Sequence, residues 1–180
     1  MKIRLSSFVK DSIVDGEGIR SVIFTQGCPH NCPGCHNQKA IPFEGGELID
    51  TDEVIKQTIA AGHQKVTFSG GEPFAQPKEL YIIAKALREA GFNIWSYSGY
   101  TYNALIRHHD PYVQKLLSQL DILVDGRFLL EKRSIAALFR GSTNQRIIDV
   151  QQSLKTGTVV LAEKFQDERE FIEREPDIFI

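Results

Sequence analysis

Every cysteine of the chain lies within the stretch GCPHNCPGCHNQ (27–38), as Cys28, Cys32 and Cys35. Thiolates are soft ligands that favour zinc or iron–sulfur clusters. A closed structural zinc site wants four ligands, and so does a four-iron cluster held wholly by protein. The spacing C-x3-C-x2-C supplies three. A cubane on three cysteines leaves one iron without a protein ligand, free to bind a small molecule, which is a catalytic arrangement. A zinc site would instead take His30 or His36 from the same loop as its fourth ligand, and short Cys/His clusters commonly do so. The loop by itself leaves both readings open.

The rest of the composition narrows the setting. With 180 residues, 42% of them hydrophobic, the chain has the size of one domain with a single core. A net charge of -2 gives no sign of a nucleic-acid or membrane surface. The opening MKIRLSSFVKDSIVDG lacks the apolar core of a signal peptide, and no later run is long enough to span a bilayer. A cytoplasmic protein is therefore expected. Thiols stay reduced there, so clustered cysteines point to metal or redox chemistry.

Strand-like and helix-like segments alternate along the chain. Ser21 to Gln26 reads as a strand that delivers the chain into the cysteine loop. Thr51 looks like the N-cap of a helix ending near Gly62, and KVTFS (65–69) like a strand running into Gly70–Gly71–Glu72–Pro73. Pro77 suits the first turn of the next helix and Gly91 its C-terminal end. Phe92 to Tyr97 reads as a strand, 101–119 as helix interrupted at Asp110–Pro111, and DILVD (121–125) as a strand buried on both faces. RIIDV (146–150) and TVVLA (158–162) are the last strand candidates, joined by a short helix. Such alternation implies parallel βαβ units, too few here to close an eight-fold barrel. The expectation is an α/β fold, a partial (β/α) barrel open on one side, over residues 1–162, with a charged, peripheral tail at 163–180. Chemistry in such folds gathers at the C-terminal ends of strands. The cysteine loop, the GGEP turn, Ser96–Gly99 and Asp125–Arg127 each follow a strand and should share one rim.

C-x3-C-x2-C after one strand and GGEP after the next resemble the radical S-adenosylmethionine (SAM) superfamily. IVDGEGIRSVIFTQGCPHNCPGC is similar to the start of the glycyl-radical-enzyme activases, while LVDGRF (123–128) and FRGSTNQRIIDV (139–150) resemble the branch that activates anaerobic ribonucleoside-triphosphate reductase. The likeness runs from about Phe8 to Val160. Gly34 stands where many members have an aromatic residue, and His36 where this branch often has one.

The resemblance implies a [4Fe–4S] cluster on Cys28, Cys32 and Cys35, with SAM on the open iron. Gly70 and Gly71 would let the methionine end approach closely, since neither has a Cβ, and the Glu72 carboxylate would orient its ammonium group. Ser96 and Ser98 would add polar contacts. Asp125, costly to bury alone, would sit at the rim near the SAM carboxylate, compensated by a cation or a neighbouring base. Ser142 and Asn144 would meet the ribose or sulfonium end. Asp15, Gly16, Arg20 and Arg140 would contact the partner, the large reductase subunit, and the electron would come from a donor such as flavodoxin or ferredoxin. His63, His108 and His109 read as surface residues and Trp95 as core. Two other functions stay open: a small-molecule radical SAM enzyme related to carboxy-deazaguanine synthase, and a zinc-binding interaction module.

Overall fold

The computed structural model describes residues 1–166. Seven strands form one open sheet: β1 (Lys2–Ser12), β2 (Arg20–Thr25), β3 (Glu47–Asp50), β4 (Lys65–Gly70), β5 (Asn93–Ser98), β6 (Ile122–Asp125) and β7 (Arg146–Asp149). Their order is β3-β1-β2-β4-β5-β6-β7. The inner four, β2, β4, β5 and β6, run parallel, while β1, β3 and β7 pair antiparallel. Helices α1 (Thr51–Ala60), α2 (Pro77–Glu89), α3 (Tyr102–Ile106), α4 (Pro111–Leu117) and α5 (Val150–Thr156) fill the connections. The fold is mixed α/β. No helix among the described residues is long and apolar enough to cross a membrane.

The structure departs from the sequence reading in three respects. Strands β1 and β3 were not foreseen. In β1, Ile3 and Leu5 point inward, but register shifts after Leu5 and Val9 break the alternation that would announce a strand, and β3 is short and mostly exposed. Second, β7 is antiparallel, because the β6–β7 link holds only a short 3-10 turn at Leu130–Lys132 and no crossover helix. Third, 158–162 is not a strand. It lies along β7 through Asp149 N to Val160 O (2.9 Å) and Ala162 N to Ile147 O (2.9 Å), with a single bridge at Leu161. Smaller shifts concern caps: Asp50, not Thr51, is the N-cap of α1.

Side-chain alternation sorts the inner strands into two faces. Ile23, Val66, Phe68, Ile94 and Leu123 join the main core with Leu80, Ile83 and Leu87 of α2 and Val113 and Leu116 of α4. Their neighbours in sequence point to the opposite face, where Trp95, Ile122, Val124, Ile147 and Phe165 form a second cluster with Tyr97 and Phe139. Phe165 belongs to the stretch expected to be peripheral, yet it is buried against Trp95 at 5.1 Å between ring centroids; residues 167–180 lie outside the described residues.

Trp95 is 2% exposed and its ring also receives the Arg20 guanidinium at 4.9 Å. Trp95→Ala should cost about 3–5 kcal/mol, as deletion of a buried aromatic does. Urea unfolding should show a lower midpoint at unchanged slope; an unchanged midpoint would contradict this packing.

Candidate active site

The parallel strands β2, β4, β5 and β6 end at one edge, so the loops after them meet there. A cavity of about 510 Å³ opens on the face away from the helices, within the range of small-molecule sites. Alternation brings Phe24, Ser69 and Tyr97 to its wall, and the strand-end loops add Cys28, Cys32 and Cys35. All three cysteines are free thiols, partly exposed. Among the described residues no three His, Cys, Asp or Glu side chains are close enough to hold a single metal ion. The thiols share a pocket wall instead, which fits ligands of a multi-atom cluster. Burial, opposed by the backbone N–H groups of His30 and Asn31, holds the Cys28 thiol above its ordinary value. Any metal ligation at Cys28 would have to displace a proton.

The glycines of the GGEP turn are dictated by the cysteine loop. A Cβ on Gly71 would lie 2.3 Å from the Gly27 carbonyl oxygen and 2.6 Å from that of Ala40; one on Gly70 would lie 2.3 Å from the Thr25 nitrogen. The close approach is locked by Gly71 N to Thr25 O (2.8 Å) and Glu72 N to Gly27 O (2.8 Å). These glycines thus press the turn against the loop that carries the thiols.

Glu72 is buried and its two oxygens accept four hydrogen bonds. Phe74 N (3.0 Å) and Ser98 Oγ (2.9 Å) donate to Oε1; Gly99 N (2.8 Å) and His30 Nε2 (2.9 Å) donate to Oε2. An ionised carboxylate has about four acceptor positions, so this one is saturated by protein. Ser98 lines the pocket and reaches it through Glu72.

The remaining expected residues divide. Ser96 is fully buried with its hydroxyl on the Tyr97 carbonyl, because it shares the helix-facing parity of Ile94. Asp125 shares that parity with Leu123: it accepts from Tyr102 N at 2.7 Å and pairs with Arg146, the neighbouring base that compensates it, away from the pocket wall. Ser142 is fully buried, accepting from Leu129 N, and Asn144 donates to Arg127 O at 2.9 Å. Both shape the loops and neither lines the cavity. Asp15 does line it, as does Arg140, which donates to the carbonyls of Gln145 and Gln166. Gly16 and Arg20 are buried, which removes them from any partner surface: the turn after β1 folds over the sheet, Gly16 abuts Trp95, and Arg20 bonds Thr67, Val66 and Asn93. Burial brings Arg20 down to about 10, still charged at neutral pH.

The wall also holds residues outside the expected set, among them Tyr97, Phe128, Gln145 and His30. Gln145 joins two loops, accepting from Gly141 N (2.9 Å) and donating to Gly126 O (2.9 Å). Phe128 packs against His36 at 5.2 Å, and Leu130 against Gly34, so aromatic cover beside the cluster loop comes from the β6–β7 link. The parity of Tyr97 with Trp95 was the available signal for that residue.

A family model described as a 4Fe-4S single cluster domain matches residues 14–148. The chain is 34% identical over 146 residues to the anaerobic ribonucleoside-triphosphate reductase-activating protein of Haemophilus influenzae, an alignment covering 75% of this chain and 90% of that protein. The chain belongs to that family. It is 34% identical over 117 residues to the pyruvate formate-lyase-activating enzyme of Clostridium pasteurianum, covering 59% of this chain and 49% of that one. Among solved structures it is similar to QueE from Escherichia coli, with a TM-score of 0.41 and 15% identity over 54% of this chain and 52% of that chain. Members of the family are radical SAM activating enzymes, and the cofactors of this chain are a [4Fe–4S] cluster and SAM. The zinc reading gives way, and His30, one of its two candidate fourth ligands, is already held by Glu72.

Proposed function

We propose that this enzyme generates a glycyl radical on the large subunit of an anaerobic ribonucleotide reductase, working in the cytoplasm inside a partial (β/α) barrel open on the pocket side. The observation that carries the reading is the meeting of three free thiols and the glycine turn on one cavity wall. When bound, the cluster supplies the electron that splits SAM into methionine and a 5′-deoxyadenosyl radical, which takes a hydrogen atom from a glycine Cα. A flavodoxin or ferredoxin fits the role of donor, and neither nucleic acid nor membrane has a part.

The residues of the chain hold, align and exclude. Cys28, Cys32 and Cys35 hold the cluster and leave one iron open. Gly70 and Gly71, which line the cavity, would receive the methionine end, and the Glu72 carboxylate, already taking four hydrogen bonds, would hold the turn and not the ammonium group. Phe128, Tyr97 and Gln145 enclose the nucleoside end and keep water from the radical.

The mouth of the cavity carries two exposed apolar side chains, Val14 (63% exposed) and Ile135 (75% exposed), which a protein substrate would cover. Hydrogen transfer needs the radical carbon and the glycine Cα within roughly 3–4 Å, so the partner's loop must enter this mouth. Ile135→Asp should then lower glycyl-radical yield about tenfold or more, since a charge in an apolar contact weakens docking. Formation of 5′-deoxyadenosine without the reductase should stay near wild type. Parallel loss of both products would assign Ile135 to the SAM site instead.

A further inference from the structure

The segment between the first and third expected cluster ligands, residues 29–34, makes few hydrogen bonds to the rest of the fold. Pro29 and Pro33 have no N–H to give. Asn31 and Gly34 take left-handed backbone angles, φ 45° and 72°. Among the described residues, the only hydrogen bond from 29–34 to a residue outside the cysteine loop is that between His30 Nε2 and Glu72 Oε2, at 2.9 Å. The contact is built. The His30 side chain is 4% exposed and that of Glu72 is 1% exposed. The imidazole stands edge-on to Tyr100 at 4.4 Å, and Gly99 makes room for it, since a Cβ there would lie 2.2 Å from the ring.

We propose that His30 is a positioning residue, joining the cluster loop through Glu72 to the turn that receives SAM. The inference rests on the SAM reading of that turn. Glu72 takes its other bonds from Phe74, in the 3-10 turn Pro73–Ala75 that follows β4, and from Ser98 and Gly99 at the end of β5. One saturated carboxylate therefore fixes the cluster loop against two strand ends. Nε2 must carry the proton, because a carboxylate oxygen only accepts. Without that bond the cysteines still hold iron, but the open iron and the methionine site lose their fixed separation. Coordination of SAM to that iron should weaken, since a misplacement of about 1 Å costs a pre-aligned site dearly.

Two variants separate the hydrogen bond from the packing. His30→Leu keeps apolar bulk beside Tyr100 and removes the donor; His30→Gln trims the ring and keeps an N–H at similar reach. Both are reconstituted with iron and sulfide, reduced, and titrated with SAM while the electron paramagnetic resonance signal of the cluster is followed. The expected result is wild-type iron content in both. His30→Leu should need about tenfold more SAM for the spectral change, the usual scale for a lost hydrogen bond to a charged group, and His30→Gln should fall within about threefold of wild type. The proposal is overturned if His30→Leu titrates like wild type, if His30→Gln is as weak as His30→Leu, or if either variant loses its iron. A wild-type cluster that never responds to SAM would instead overturn the SAM reading itself.

Discussion

Alanine at Cys28, Cys32 or Cys35 should abolish cluster binding and bring SAM cleavage down to the protein-free background. Three thiols share the wall of the cavity, and they are all the cysteines the chain has. His30 is engaged by Glu72 and His36 packs on Phe128. Cubanes held by protein depend on every thiolate they have, so the loss at each position should be near complete and not graded. Iron and sulfide assays after anaerobic reconstitution, with chromatography of 5′-deoxyadenosine, check this directly. A variant retaining full iron and cleavage would exclude its cysteine as a ligand.

The second large effect is expected at Gly71. Valine there would drive a Cβ to 2.3 Å from the Gly27 carbonyl oxygen and 2.6 Å from that of Ala40, both main-chain atoms with nowhere to rotate. Relief requires the GGEP turn and the cysteine loop to part, breaking Glu72 N to Gly27 O and straining Gly71 N to Thr25 O. Overpacking of this kind typically costs about 1–3 kcal/mol, concentrated here at the cluster loop. Gly71→Val should therefore lose iron and SAM binding together. Full iron content with SAM binding alone impaired would mean that Gly71 serves only to make room for the methionine group.

The placement of the motifs was legible because each follows an apolar run that had to be a strand, and parallel strands deliver their following loops to one edge. What lay within the strands was legible only through parity. Ser96 and Asp125 were assigned to the SAM site by the family resemblance. Alternation puts them with Ile94 and Leu123 on the helix side, where Ser96 is fully buried and Asp125 is tied to Tyr102 and Arg146. The same count would have exposed Arg20: it shares the face of Phe24 at the far end of β2, and it lies buried on Trp95. Asp15 and Gly16, in the acidic turn at 15–18, were expected to contact the partner. Gly16 is nevertheless buried, since the turn folds across the sheet and Asp15 O accepts from Thr67 Oγ1 at 2.7 Å. Nothing local announces such a long-range return. Nor could composition reveal Gln145, whose role depends on two loops joined only in the folded chain. The saturation of Glu72 was hidden for the same reason: its four donors come from its own turn, the end of β5 and the cysteine loop, and His30 among them was read only as a zinc ligand.

Radical transfer to a partner is the claim on which the account turns, and electron paramagnetic resonance of the complete mixture tests it most directly. The reconstituted enzyme is incubated anaerobically with a reductant, SAM and the large subunit of an anaerobic ribonucleotide reductase. The account predicts an organic radical on the reductase, split by its remaining α-hydrogen, that appears only when all components are present and accumulates with 5′-deoxyadenosine. Sustained SAM cleavage with no radical on the reductase would contradict it.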